Sequence, residues 1–349
     1  SVTYAKGFSN ENDSMTEQEL EKALRTAAEA DVAVIFAGLP EIFESEGYDR
    51  TSMKLPKCQD RLIEEVLKVQ PNVVVVLHNG SPVELPWADR VSAILEMYLG
   101  GQGVGEACDR LLFGEANPSG RLSETFPYRL EDNPSFLHFP GNGKRVLYGE
   151  DIFVGYRYYD TKKVPVRYAF GHGLSYTEFT YGDLTLSSAQ MTDEDILTVS
   201  LKVKNSGKTE GKEVVQLYVA DLCGISERPV KELKGFAKVH LLPGEEKTVS
   251  MEISARNLSY YEERLGDWYA PSGTYRILIG HASDDIRLHA DVVFETKKKL
   301  PLRVDFTTTF GELLDHTKTA PVITELLAPL AAAAASAEGM SDEYKKLGE

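Results

Sequence analysis

Three glutamates fall within six positions of one segment, and carboxyl side chains are among the groups that act as general acids and bases. Glu41, Glu44 and Glu46 follow an apolar run, residues 32–38, that predicts a strand buried on both faces. The run ends at a Gly-Leu-Pro sequence, so the glutamates lie after the carboxyl end of the strand, where open α/β sheets bind ligands. A solvated acidic loop is the alternative, and charge alone favours it.

Glu46 is the strongest candidate of the three. Gly47 follows it and allows the backbone to approach a ligand closely, and Asp49 and Arg50 come next. A basic partner in this segment could hold the loop by an ion pair and leave Glu46 free. A general acid needs a partly desolvated carboxyl group, because burial keeps the proton bound near neutral pH. Against this interpretation, a single loop glutamate is only rarely catalytic.

The composition is that of an acidic globular protein. The 349 residues include 54 Asp and Glu against 38 Lys and Arg, a net charge of −16, which argues against nucleic acid and membrane surfaces as partners. Cys58, Cys108 and Cys223 are far apart and form no Cys/His cluster, so we expect no disulfide framework, metal or cofactor. Neither a bilayer-crossing run nor a signal peptide is evident. We therefore expect a cytoplasmic protein, with secretion left open because the first residue need not be the native one.

The elements that must position the acidic loop alternate in the order of a parallel α/β sheet. A capping box at Thr16–Glu19 predicts the start of a helix, and further strands are predicted at 73–77 and 93–98. Helices are predicted between and after these strands, which implies a mostly parallel sheet with right-handed crossovers. Three strands are few for a covered sheet, so we expect an α/β domain over residues 1–178 that is incomplete at its start. Its last part, 114–178, is predicted to be an irregular connecting segment.

The second half of the chain has a different pattern. Alternating apolar and polar residues predict half-buried strands at 197–204, 214–219, 247–253 and 274–280, separated by Gly, Pro and Asn turns. This pattern is typical of an antiparallel sandwich of the immunoglobulin or fibronectin kind, over residues 179–297. Residues 298–349 contain good helix formers and are predicted to be a helical C-terminal extension.

Several longer motifs together resemble glycoside hydrolase family 3, the β-glucosidases and their relatives. The resemblance covers most of residues 1–295: the α/β sandwich domain and the fibronectin type III-like domain of that family, without its TIM-like barrel. The motifs that carry it are Ser-Glu-Gly-Tyr-Asp-Arg at 45–50, Gly-Gly-Gln-Gly at 100–103, and the longer stretches at 112–122, 148–159, 170–176 and 228–236.

The resemblance implies a retaining β-glycosidase, most often a β-glucosidase, that acts on β-linked glucosides or oligosaccharides. In such enzymes a barrel aspartate attacks the anomeric carbon, and a glutamate of the α/β domain protonates the leaving oxygen; the matching residue is Glu46. A retaining site needs two carboxyl groups about 5–5.5 Å apart. Tyr48 could stack on the leaving group or be an ordinary loop aromatic. Phe43 stands where related sequences often have Trp, which leaves an aglycone contact there open.

No barrel is recognisable in this sequence. Asp267 precedes Trp268, as in the nucleophile motif of the family, but a turn-and-strand pattern follows, so we interpret Asp267 as a surface turn residue. The nucleophile is therefore expected on a barrel-bearing chain or domain. The alternative is a non-catalytic carbohydrate-binding or assembly fragment, and a homo-oligomer is left open.

Other motifs favour structural roles. Gly100–Gly105 lacks the ending of a phosphate-binding loop and predicts a tight strand-to-helix turn. His78 and His172 have no Ser or Cys partner that would suggest a triad. The tyrosines at 156, 158 and 159 are interpreted as packing between the two domains rather than as a sugar platform.

Overall fold

The computed structural model describes residues 1–224, 227–301 and 303–336, with side chains described as far as residue 330. Its first part is an α/β layer built on three parallel strands in the order β1-β2-β3. The strands are β1 (Ala33–Gly38), β2 (Val73–His78) and β3 (Ala93–Glu96), and the helices are α1 (Glu17–Ala28), α2 (Lys57–Val66) and α3 (Val104–Leu112). The predicted parallel α/β class is confirmed.

Helix α1 begins at the predicted capping box. The Thr16 hydroxyl accepts the Glu19 N–H, and the Glu19 carboxylate accepts the Thr16 N–H at 2.9 Å, which satisfies donors that the first turn leaves free. The buried stripe of α1 includes Leu20 and joins one apolar core with α2, β1 and β2. Trp87 belongs to this core and has no exposed surface.

The central strand is buried and the first strand is not. Val73, Val75, Val76 and Leu77 of β2 have no exposed surface, as the apolar run predicts. In β1, by contrast, Phe36 is 52% exposed, so the prediction of a strand buried on both faces is wrong for β1. The reason is that α1 and α2 form a core with Ile35 and Ala37, which point to the opposite face from Val34 and Phe36.

A connecting segment follows α3. It contains the short antiparallel pair β4 (Phe126–Pro127) and β5 (Val166–Tyr168), and between them helix α4 (Tyr156–Lys162). Gly101–Gly103 forms a short 3₁₀ turn that leads directly into α3, which confirms a tight turn at the glycine-rich sequence.

The second half is an antiparallel sandwich, as predicted, with one parallel pair at an edge. The elements are β6 (Phe179–Leu186), β7 (Gln190–Thr192), β8 (Ile196–Asn205), β9 (Gly211–Asp221), β10 (Glu232–Leu241), β11 (Glu246–Ser254), α5 (Ala255–Leu258), β14 (Gly273–Gly280) and β15 (Ile286–Glu295). One sheet has the order β10-β9-β14-β15-β7 and the other β11-β8-β6, and β7 pairs with β15 in parallel. The apolar core between the sheets includes Val199, Leu217 and Ile277.

The sandwich packs against the connecting segment through aromatic side chains. Tyr156 stacks on Phe170 with ring centroids 4.7 Å apart and meets Tyr218 of β9 edge-on at 6.0 Å. The Tyr156 hydroxyl also accepts the Leu233 N–H at 2.7 Å. The interpretation of Tyr156 as packing between the two parts is therefore confirmed.

Residues 260–269 and the described residues from Lys297 to 336 form a second compact unit. It contains the hairpin of β12 (Tyr260–Glu262) and β13 (Asp267–Tyr269), and the helices α6 (Phe310–Asp315) and α7 (Ala320–Ser336). The predicted C-terminal helices are confirmed as far as residue 336, and residues 337–349 of the predicted extension lie outside the described residues. The domain limits 1–178, 179–297 and 298–349 stay predictions. None of the described helices is long and apolar enough to span a membrane.

Candidate functional site

The acidic loop leaves the sheet where β1 and β2 end side by side. Gly38 pairs with His78, and the Leu39 N–H donates to the His78 carbonyl at 2.9 Å. Gly38 has φ +156°, and a Cβ there would lie 2.0 Å from the His78 carbonyl oxygen, so only glycine fits. The buried Gln59 side chain bonds both the N–H and the carbonyl of Gly38, at 2.8 and 2.9 Å. The start of the loop is thus rigidly placed.

Glu46 lies at the tip of a small hairpin. Ser45 and Tyr48 form an isolated antiparallel bridge, and Glu46 and Gly47 make the turn between them. Both turn residues are exposed, and a Cβ on Gly47 would have no neighbour within 4 Å. The described residues therefore present the Glu46 carboxyl to solvent and do not supply the desolvation that a general acid requires.

The two aromatic candidates flank this tip. Tyr48 is 48% exposed, and its hydroxyl donates to the Glu41 carbonyl, which fixes the ring relative to the hairpin. Phe43 is half-buried earlier in the same loop. The structure brings Glu46, Tyr48 and Phe43 into one segment, while their roles stay predictions.

Glu44 has a different environment from Glu46. Its carboxylate accepts the Gly80 N–H at 2.6 Å and the Ser81 hydroxyl at 2.7 Å. Arg50 Nη1 lies 3.9 Å from the same carboxylate and donates to the Ser81 hydroxyl oxygen at 2.7 Å and to the Pro82 carbonyl at 3.2 Å. Both flanks of the hairpin are thus attached to the loop after β2, with Glu44 as the acidic partner of Arg50.

A further carboxyl group, Glu96 at the end of β3, lies at the same edge of the sheet. It accepts the Tyr98 N–H at 2.8 Å and the Asn79 side-chain amide at 3.2 Å. Burial raises the pKa of Glu96 to about 7 despite these bonds, and the negative charge of Glu44 adds to the rise. Burial and then Glu44 also raise the pKa of Glu124. The sequence interpretation missed Glu96, although an acid at the end of an apolar strand is a usable signal.

An open cleft of about 590 Å³ lies beside the loop. Its polar lining includes Arg50, Ser81, Glu124 and Thr125, and its apolar lining includes the aromatic rings of Tyr156, Tyr159 and Phe170. Thr125 is 6% exposed, and its hydroxyl has no hydrogen-bond partner within the described part of the chain. The loop therefore borders a concave surface with both polar and apolar lining.

The remaining polar candidates have structural surroundings. His78 stacks on Phe36 with centroids 6.4 Å apart, and His172 stacks on Tyr168 at 5.2 Å. Asp267 opens β13 as an exposed strand residue, and its carboxylate accepts the Lys298 ammonium at 2.8 Å. Over residues 1–224, 227–301 and 303–336, no group of three or more His, Cys, Asp or Glu side chains could hold a metal ion.

Comparison with known families identifies both halves of the chain. Residues 1–176 match the glycosyl hydrolase family 3 C-terminal domain, and residues 213–283 match the fibronectin type III-like domain. The resemblance inferred from the motifs is thereby confirmed.

Curated relatives match over most of the chain. The thermostable β-glucosidase B of Acetivibrio thermocellus is 50% identical over 326 residues, which is 93% of this chain and 43% of that protein. A β-glucosidase of Kluyveromyces marxianus is 46% identical over 77% of this chain and 32% of its own length. The chain therefore spans less than half the length of these relatives.

Solved structures of β-glucosidases also align with most of this chain. A β-glucosidase of this family from Bifidobacterium adolescentis aligns with a TM-score of 0.86 and 38% identity, over 93% of this chain and 48% of that one. The Kluyveromyces marxianus enzyme in complex with glucose aligns with a TM-score of 0.76 and 44% identity, over 80% of this chain and 33% of that one.

Proposed function

This chain belongs to glycosyl hydrolase family 3, and we propose that it supplies the acid/base half of a retaining β-glycosidase, most specifically a β-glucosidase. The observation that carries the proposal is the hairpin at the sheet edge, which presents Glu46 at an exposed tip on a fixed base. A carboxyl group in that position can reach a sugar that another domain holds. The relatives named as β-glucosidases support the substrate class, a β-linked glucoside or oligosaccharide.

The proposed reaction has two steps. An aspartate on a barrel-bearing domain or chain attacks the anomeric carbon, and the bond from that carbon to the leaving oxygen breaks as Glu46 gives this oxygen its proton. In the second step the Glu46 carboxylate takes a proton from water, whose oxygen bonds to the anomeric carbon and displaces the aspartate. Retention of configuration follows from the two displacements.

Solvent exposure of Glu46 is compatible with this role. A carboxyl group that becomes covered by substrate and a second domain loses hydration, and that loss favours its protonated form. Tyr48 and Phe43 lie on the same loop and would present apolar ring surface to the leaving group.

The test is to replace Glu46 in the assembled enzyme, meaning this chain together with its barrel-bearing domain. Glu46→Ala should lower kcat/KM for glucosides with poor leaving groups by about 10²–10⁴-fold, the usual contribution of general acid catalysis. Dinitrophenyl glucosides need no proton for departure, so their cleavage should fall far less, and azide should restore part of the turnover.

The matched control is Glu41→Ala, an exposed acid of the same loop. An unchanged rate for poor leaving groups in Glu46→Ala would exclude the assignment. Binding of glucosides without turnover in the unaltered assembly would instead support a non-catalytic carbohydrate-binding module.

A further inference from the structure

One residue on each side of Glu46 is hydrogen-bonded to the same short segment, Gly80–Pro82. Glu44 precedes Glu46 by two positions and Arg50 follows it by four. Glu44 bonds the Gly80 N–H and the Ser81 hydroxyl, and Arg50 bonds the Ser81 hydroxyl and the Pro82 carbonyl. The Ser81 hydroxyl therefore donates a hydrogen bond to Glu44 and accepts one from Arg50, and it joins the two flanks directly.

The Glu44 carboxylate fits closely against Gly80 and Ser81, which together form what we call its seat. A Cβ on Gly80 would lie 3.1 Å from Oε2 and 3.2 Å from Cδ of Glu44, a distance that requires the carboxylate to move. The loop that forms the seat is itself held, since the Asn79 side chain donates to the Ser81 carbonyl at 2.9 Å and to the Glu96 carboxylate at 3.2 Å. Asn79 has no exposed surface. The half-buried seat is therefore anchored through a fully buried side chain.

Glu44 and Arg50 are oppositely charged partners at this seat. The Glu44 and Arg50 side chains are 21% and 17% exposed, so each is largely withdrawn from water and depends on the other. Burial, and then the charge of Glu44, raises the pKa values of Glu96 and Glu124, so both acids lie near Glu44. Arg50 is thus the cation that offsets the negative charge of Glu44 beside these acids.

We propose that Glu44 is a positioning residue for Glu46, and that Glu44, Arg50 and Gly80–Pro82 form a clamp that sets the direction of the acid/base hairpin. The proposal rests on the proposed function of Glu46. With both flanks fixed, the tip of the hairpin has few conformations. The Glu46 carboxyl group is then already oriented when a substrate binds. A misplacement of about 1 Å in such a group can cost about 100-fold in rate.

The first test uses Glu44→Ala and the conservative Glu44→Gln in the assembled enzyme. Glu44→Ala should lower kcat for poor leaving groups by about 10–100-fold, with KM nearly constant and with cleavage of dinitrophenyl glucosides nearly unchanged. Glu44→Gln keeps the shape and one acceptor oxygen, so part of the loss should be recovered. A purely structural role would lower the rates for all substrates together.

Two milder variants guard against a folding defect. Ser81→Ala removes the hydroxyl that joins the flanks, and Gly80→Ala crowds the Glu44 carboxylate. Each should steepen the dependence of kcat on leaving-group pKa, while the melting temperature and the far-UV circular dichroism stay close to those of the unaltered enzyme. Glu41→Ala, the matched acid of the same loop, should leave that dependence unchanged.

The outcomes separate the clamp from the function on which it rests. If Glu46→Ala abolishes cleavage of poor leaving groups while Glu44→Gln and Ser81→Ala show the unaltered leaving-group dependence, the clamp is refuted and the acid assignment stands. If Glu46→Ala itself leaves cleavage intact, the proposed function is refuted, and the clamp with it.

Discussion

Replacing Glu213 with Ala should destabilise the chain strongly, because it leaves the buried Arg121 guanidinium without its carboxylate partner. Arg121 lies in the connecting segment and Glu213 on β9, 92 positions later, and Nη2 and Oε1 are 2.7 Å apart. The Arg121 and Glu213 side chains are 6% and 0% exposed. The same carboxylate accepts the Val214 N–H at 2.6 Å and has His281 Nδ1 3.3 Å away. This ion pair therefore ties the sandwich to the segment that precedes it.

The expected magnitude follows from the burial of both partners. Removing one partner of a buried pair costs about 3–5 kcal/mol, because the remaining charge has neither water nor a counterion. For Glu213→Gln we expect a smaller loss, since the amide keeps the shape and an acceptor for the Val214 N–H but removes the charge opposite Arg121. The pair need not be superior to an apolar one of the same volume; the prediction concerns breaking it.

The pair also predicts a dependence on pH. Burial acts to raise the pKa of Glu213, but His281 and Arg121 outweigh it and the pKa lies below the ordinary 4.5. The folded state then binds this proton less readily than the unfolded state does. The stabilisation is present above pH 4.5 and is lost as the pH falls through the folded-state pKa. Glu213→Gln should lose less stability on acidification than the unaltered chain.

The assay is urea unfolding at pH 7 and in steps down to pH 3, followed by far-UV circular dichroism, which reports on the strands of the sandwich. The control is Asp291→Ala, which breaks the exposed pair between Arg276 of β14 and Asp291 of β15 and should cost about 0.2–1 kcal/mol. A Glu213→Ala free energy of unfolding within 1 kcal/mol of that control would refute the reasoning.

Three further outcomes follow from groups near the sheet. Relative to the unaltered chain, Glu96→Gln should gain free energy of unfolding as the pH rises from 4.5 to 7, by about 3 kcal/mol at most. The reason is that a carboxyl group with a pKa of about 7 in the folded state favours the unfolded state, where it ionises more readily. A difference between the two chains that is the same at pH 4.5 and at pH 7 in urea titrations would contradict this. Gly38→Ala should cost at least about 3 kcal/mol, since its Cβ meets the His78 carbonyl, whereas Gly47→Ala should cost little in the same urea titration. Burial raises the pKa of the Cys58 thiol to about 12, so peptide mass spectrometry should find it alkylated by iodoacetamide at pH 8 only after unfolding.

Periodicity was sufficient for most of the fold. The alternation at 197–204 predicted β8 because a strand with one face in a core must place every second side chain inward. The apolar runs predicted β1 and β2 as strands, but composition could not distinguish a central strand from one with an open face. That difference depends on which helices cover each face, and the exposure of Phe36 became visible only in three dimensions.

The site was predictable only in part, because its partners are distant in sequence. Gly47 and the family motif single out Glu46, whereas no local sequence signal marks the role of Glu44, two positions earlier. What separates them is the Gly80 N–H, 36 positions away. Glu213 sits in a strand that reads as ordinary, since the Arg121 that requires it is 92 positions away. Pairings of this kind arise from tertiary structure and have no local signature.

Three glutamates at one edge of the sheet show how environment assigns different tasks to the same side chain. Glu44 accepts two hydrogen bonds and faces a cation, which suits an anchor for the hairpin. Glu96 is buried and has its pKa raised to about 7. Glu46 is exposed at the tip of the hairpin. Under the proposed function, the substrate and the barrel cover this tip. A rigid base with an uncovered tip is the arrangement that such a division between domains requires.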